Sequence, residues 1–207
     1  LGRAQALVSI GKKETAIEVL TQLSESFPKM RGVHDALGNL LRQDGQFDAA
    51  IEVYDTAISM IKNPEPKHWY NFYVRAIAYE RDGNWAAAMR DFDNALILSP
   101  NQFQVLNYLG YSLVERGERL EEALSMIQLA VAAQPKAGYI IDSLGWVQYK
   151  LGYYNEAVSQ LDQEVSENEQ AVSENSELLQ GAISNMDSLS DAVNNIEDNY
   201  ESLCLSK

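Results

Sequence analysis

Trp69-Tyr70-Asn71-Phe72-Tyr73-Val74-Arg75-Ala76-Ile77-Ala78-Tyr79, followed by Gly83-Asn84-Trp85-Ala86-Ala87-Ala88 and closed by Ser99-Pro100, decides the fold. Phe72, Ala76 and Tyr79 fall on one face of a helix. Gly83 ends that helix, because a left-handed cap is cheap only for glycine. A second amphipathic helix runs through Ala88, Met89, Phe92, Ala95 and Leu96 until Ser99-Pro100 stops it. The small side chains of Ala76 and Ala88 allow the two helices to pack closely. The unit is therefore helix, tight turn, helix.

The same pattern extends in both directions. It returns at Leu37-Gly38, Gly45, Ala50, Tyr54 and Ala57, at Leu109-Gly110, Gly117, Ala123, Ile127 and Pro135, and at Leu144-Gly145, Gly152 and Ala157. Ala16, Ala50, Ala88, Ala123 and Ala157 recur at intervals of 34, 38, 35 and 34 residues, each five or six positions after a glycine. A fixed period of this length marks a helical solenoid, which builds a binding surface rather than a catalytic pocket. The longer interval reflects an insertion at Asn63-Pro64-Glu65-Pro66, a proline-punctuated loop. Residues 1–30 read as the end of one repeat, closed by Pro28, and residues 31–163 as an array of about four.

These positions resemble the tetratricopeptide repeat (TPR) family, over residues 4 to about 161. The resemblance implies an all-α right-handed solenoid that binds protein or peptide partners. Leu106-Asn107-Tyr108-Leu109-Gly110-Tyr111-Ser112-Leu113 and Tyr139-Ile140-Ile141-Asp142-Ser143-Leu144-Gly145-Trp146-Val147 are similar to a narrower group. These are large bacterial repeat proteins, often outer-membrane lipoproteins that act as periplasmic scaffolds. That likeness favours the bacterial periplasm or outer membrane as the compartment, with the cytoplasm as the alternative.

In the TPR family the first helix of each repeat lines the concave face. Carried over, this implies a peptide-binding row of Asp35, Asn39 and Arg42, then Tyr70, Tyr73, Ile77 and Arg81, then Gln104, Asn107 and Tyr111, with Tyr139, Asp142 and Val147 closing it. Tyrosine joins a large contact area to few rotatable bonds and a polar tip, which suits recognition. Asparagine can bond a peptide backbone as donor and acceptor. Packing of the tyrosines between neighbouring repeats is the competing reading. The lysine–asparagine clamp that some members use for a C-terminal carboxylate is unmatched, since Asp35 and Tyr73 stand where lysine is expected.

Past Ala157 the repeat pattern stops. No proline follows Pro135, and the segment 164–207 reads as an acidic helical extension. Val165, Val172, Leu179, Met186, Val193 and Tyr200 recur every seven residues, with Asn168, Asn175, Ala182, Leu189, Ile196 and Leu203 three positions after each. Six such heptads mark a coiled coil. The valine–asparagine layers resemble stalks of trimeric adhesins and phage fibres. Leu178 and Ile183 widen the seam beyond what a dimer covers, so a homotrimer is expected. Two alternatives stay open: Gly181 permits an antiparallel hairpin of 161–180 and 183–205, and the Ser/Asn/Glu-rich composition permits a loose segment. A fusion of unrelated origin would also produce the abrupt change.

Composition narrows the function classes. The net charge is −14, and from Leu161 onward eleven acids face Lys207 alone. Clustered Lys/Arg of the kind phosphate backbones require is missing, so nucleic acid is an unsuitable partner. No apolar run approaches the roughly 20 residues that span a bilayer. The chain opens at Leu1 without a signal or lipidation motif and so reads as part of something longer. With two histidines and one cysteine it offers no metal-ligand spacing, phosphate loop or nucleophile elbow. Neither a cofactor, a metal nor an enzymatic activity is expected. His34 reads as interhelix filler, and Glu121-Glu122 and Asp91/Asp93 as solvated surface. Cys204 lies beside the heptad seam, where oxidation could cross-link chains, although a bystander thiol is the simpler reading.

Overall fold

The computed structural model describes the backbone of residues 1–205, with side chains through Leu189 except Glu156, Ala157, Gln160, Asp187 and Ser188. Ten helices form among the described residues: α1 (Gly2–Ser9), α2 (Lys13–Ser26), α3 (Arg31–Gln43), α4 (Phe47–Ser59), α5 (Trp69–Arg81), α6 (Trp85–Leu98), α7 (Phe103–Arg116), α8 (Leu120–Ala133), α9 (Gly138–Leu151) and α10 (Tyr154–Leu205). They pair in sequence order into antiparallel hairpins, and each hairpin stacks on the next. Residues 1–30 hold one such pair, its first helix only 8 residues long.

The turn inside each pair explains the recurring glycine. Gly11, Gly45, Gly83, Gly117 and Gly152 all sit at φ between +67° and +85°, where a Cβ would be strained. Between α4 and α5 the inserted loop ends in a 3₁₀ turn at Pro66–His68, where the Glu65 backbone N–H donates to His68 Nδ1 at 2.9 Å.

Close approach within a pair depends on small residues. Gly38 faces the ring of Tyr54, whose Cε1 would lie 2.6 Å from an added Cβ. Gly110 faces Ile127 and the Ala123 carbonyl in the same way. One core joins Phe92, Leu109, Leu113, Ile127 and Val147 across the middle pairs, and a second joins Ala4, Leu20, Leu37 and Tyr54 at the N-terminal end. His34 is buried and its Nε2 bonds the Pro28 carbonyl at 3.0 Å.

Asp91 corrects the surface reading. It is buried, and both its oxygens take Arg75 of α5, Oδ2 from Nε at 2.6 Å and Oδ1 from Nη2 at 2.8 Å. The acid on what looked like an outer helix face ties α5 to α6.

α10 begins as the second helix of the last pair and then keeps going. At about 1.5 Å per residue, its 52 residues reach on the order of 78 Å. It passes through Gly181 without interruption, so the hairpin does not form. Glu164 ties it to the body, its Oε1 close against Gly138 at the start of α9. Val165, Val172, Leu179, Met186 and Leu189 are exposed, as are Asn168 and Asn175. The side chains of Val193, Ile196, Tyr200, Leu203 and Cys204 lie outside the described residues.

Candidate functional site

The inner ends of α3, α5, α7 and α9 form one face, and its two halves are built differently. In the N-terminal half the polar side chains bond one another. Asn71 Nδ2 donates to Asp35 Oδ1 at 2.7 Å while Asn71 Oδ1 accepts from Arg31 at 3.3 Å. Tyr54 donates to Asn39 Oδ1 at 2.9 Å and accepts from Arg42 Nε at 3.4 Å. Burial raises the Asp35 carboxyl above its usual range, opposed by the Arg31 charge. Burial likewise pushes the Tyr54 hydroxyl up to about 12.

The middle of the face is aromatic and interlocked. Tyr73 meets Tyr108 edge-on at 6.0 Å and Phe92 at 6.4 Å, with Trp69 and Tyr70 beside it. Tyr108 donates to Glu80 Oε2 at 3.0 Å. Burial, then the Glu80 charge, pushes the Tyr108 hydroxyl up to about 12, and burial also raises Tyr73. Ile77 and Val147 are buried in the core and lend no free surface. Arg81 is exposed at the end of α5, its Nε 3.5 Å from Glu80.

The C-terminal half is open. A groove of about 660 Å³ runs between α9 and α10 with Tyr111 of α7 at its edge. Tyr139, Asp142, Trp146 and Tyr149 line one wall, and Tyr154, Val158 and Leu161 the other. Trp146 and Tyr149 stack at 5.5 Å, and Tyr149 meets Tyr154 edge-on at 5.6 Å. Glu115 holds the indole, accepting from Trp146 Nε1 at 2.6 Å. Tyr111 is 43% and Tyr139 59% exposed. Next to this half, Asn107 is buried with an Oδ1 that lacks a partner among the described residues, a state shared by Gln148 Oε1. Such a group costs free energy unless something bonds it.

Of the expected row, Asp35, Asn39 and Arg42 meet other polar groups of the body, Tyr70 and Tyr73 join the aromatic cluster, and Tyr111, Tyr139 and Asp142 meet in the groove. Sequence reasoning missed Trp146, Tyr149 and the α10 wall. The repeat spacing held the signal for Trp146, since Asn39, Ile77, Tyr111 and Trp146 follow at 38, 34 and 35 residues.

Among the described residues no cluster of three or more His, Cys, Asp or Glu could hold a metal ion. No helix there is long and apolar enough to cross a membrane.

A stacked array of helix hairpins with an aromatic inner face defines a protein-binding repeat protein. The tetratricopeptide repeat family model matches residues 1–65 and 73–138, and the chain belongs to that family. A TPR repeat-containing protein of Pseudomonas aeruginosa is 32% identical over 78 residues, which is 38% of this chain and 13% of that protein. The chain thus corresponds to a small part of this relative. Among solved structures, MamA (residue 41 to the end) from Desulfovibrio magneticus superposes with a TM-score of 0.69 at 16% identity, covering 82% of this chain and 93% of MamA. YrrB, described as a TPR protein with an unusual peptide-binding site, gives 0.59 at 18% identity over 79% and 81% of the two chains. These likenesses show the shared solenoid. Family membership makes the chain a protein-interaction repeat.

Proposed function

We propose that the chain is an adaptor or scaffold that holds a segment of a partner protein on its concave face. One observation carries this reading: Tyr70, Tyr111 and Tyr139 stand exposed along one inner row, and Tyr111 and Tyr139 open into the groove where Tyr149 and Tyr154 are exposed beside them. Exposed aromatic rows are the usual substance of protein contact sites. The peptide-binding site named for YrrB supports the same use of this fold. The expected site is Asp35, Asn39, Arg42, Tyr70, Tyr73, Ile77, Arg81, Asn107, Tyr111, Tyr139 and Asp142, of which Ile77 and Asn107 are buried beneath the surface. The narrower sequence likeness and the Pseudomonas match support a bacterial setting.

Peptides selected on the chain from a displayed random library test the proposal. A Tyr70→Ala/Tyr111→Ala double variant that stays folded should bind them about tenfold or more weakly. Unchanged affinity would refute the inner face as the site.

A second reading rests on α10. Its unbroken helix and exposed heptad seam (Val165, Asn168, Val172, Asn175, Leu179, Met186 and Leu189, continued in sequence by Val193 and Ile196) favour a coiled coil that gathers copies, with a trimer first. Light scattering on the full chain and on a chain ending at Gln163 separates the readings. A trimer that becomes monomeric on truncation supports assembly, and two monomers dismiss it.

A further inference from the structure

The stripe of α10 and the aromatic groove share residues. Stepping back from Val165 by alternating three and four gives Leu161, Val158 and Tyr154. These three are the α10 wall of the groove. Beyond Glu164 the same stripe stands clear of the body, with Val165, Val172 and Leu179 between 55% and 69% exposed. Anything lying along the stripe is therefore led, at its body end, between α9 and α10.

This arrangement does not suit a symmetric parallel coil along the whole stripe. At Tyr154, Val158 and Leu161 the side of α10 that would face the symmetry axis is already turned to Tyr139 and Trp146 of its own chain. It suits one helix laid beside α10 with its end in the groove, where apolar anchors every three to four residues meet an apolar trough.

Charge identifies the chemistry of that helix. α10 carries twelve acids and no Lys, Arg or His. Glu164 and Glu169 flank the stripe, Asp142 lines the groove, and Glu115 holds its indole. Lys150, with Nζ 4.6 Å from the Trp146 ring, is the cation at the groove's edge. A parallel second copy would set Glu164 opposite Glu169, a like-charge pairing. Lys or Arg flanking an apolar stripe would complement it.

We propose that the groove and the α10 stripe form one continuous docking surface for a cationic amphipathic helix of a partner protein, its apolar end seated among Tyr111, Tyr139 and Trp146. The proposal rests on the adaptor reading and names the class of partner.

Fluorescence anisotropy on the full chain tests it with two labelled synthetic helices of about four heptads. Both carry Leu at the seam positions; one carries Lys at the flanking positions and the other Glu. The Lys helix should bind, at least tenfold more weakly at about 500 mM than at about 50 mM salt, and the Glu helix should not. Tyr139→Ala in the groove and Val172→Asp on the stripe, each at an exposed residue with folding checked by circular dichroism, should each weaken binding about tenfold. Equal binding of both helices, no binding of the Lys helix, or an effect of only one of the two variants would overturn the proposal. A stable trimer in sedimentation that excludes the Lys helix would overturn it in favour of a second copy. Loss of Lys-helix binding in Tyr70→Ala alone would also overturn it while leaving the adaptor reading intact. That reading stands or falls with the library peptides.

Discussion

Gly110 and Gly181 both sit inside helices, and nothing else about them is alike. A Cβ at Gly110 in α7 would come within 2.8 Å of Ile127 Cγ1 and 3.2 Å of the Ala123 carbonyl oxygen, while one at Gly181 in α10 would meet nothing within 4 Å. The same contrast holds for valines: Val114 is fully covered, and Val172 is 69% exposed. In the repeat body, residue choice answers to a neighbour already present. In α10 beyond Glu164 the described apolar residues Val165, Val172 and Leu179 keep a seven-residue order while standing exposed. An amphipathic helix this long draws its stability mainly from whatever covers its apolar face.

The largest break of this comparison comes from alkali. Tyr54 is buried in the body and Tyr108 half-buried, and their hydroxyls are pushed up to about 12. In the unfolded chain they ionise near about 10. Their contribution is therefore complete below pH 10 and is lost as pH rises through 12, on the order of 4 kcal/mol for the two together once the solvent access of Tyr108 is discounted. Urea titrations followed by tryptophan fluorescence should show the midpoint falling steeply over that window. A flat profile would mean that the inner tyrosines are wetter than their packing implies.

Asp91→Ala comes next. Removing the carboxylate strips Arg75 of its two-point partner and leaves it the exposed Asp55, 2.7 Å away, and the Tyr79 ring. The expected loss is about 3 kcal/mol in chemical denaturation. Asp55→Ala, at an exposed partner of the same arginine, should cost below about 1 kcal/mol. Equal effects would show that burial of Asp91 contributes nothing. Gly110→Ala should follow, losing roughly 2 kcal/mol as Ile127 is forced aside against a backbone carbonyl that cannot move.

How much was legible follows the same division. The body could be read because its turns demand φ > 0 and its helix crossings demand small residues, so Gly83, Ala76 and Ala88 announce their roles locally. Asp91 could not, because its meaning is Arg75, sixteen residues away on another helix. The repeat pattern assigns Asn39 and Asp35 to an inner row, yet their bonds to Tyr54 and Asn71 are tertiary facts that no periodicity reveals. Val147 lies one position from Trp146, and on a helix one position turns a side chain through about 100°, from the groove into the core. The wall of Tyr154, Val158 and Leu161 was hidden by placing a boundary after Gln163. The helix crosses that point without a break, and the heptad order starts before it.

A small effect, in α10 itself, sharpens the contrast most directly. Gly181→Ala replaces a residue with open space around it, so the only change is intrinsic helix preference, about 1 kcal/mol in favour of the helix. Far-UV ellipticity should rise slightly, and the denaturation midpoint of the body, read from tryptophan fluorescence, should stay where it was. All three tryptophans (Trp69, Trp85 and Trp146) lie in the body, so their fluorescence follows the repeats, whereas the ellipticity sums over every helix, α10 included. A shift in the tryptophan midpoint would mean that α10 beyond Glu164 folds with the repeats as one unit. If instead the ellipticity rises while that midpoint holds, α10 answers to its own helix preference and to whatever lies along its stripe. It then remains the free half of a two-helix contact.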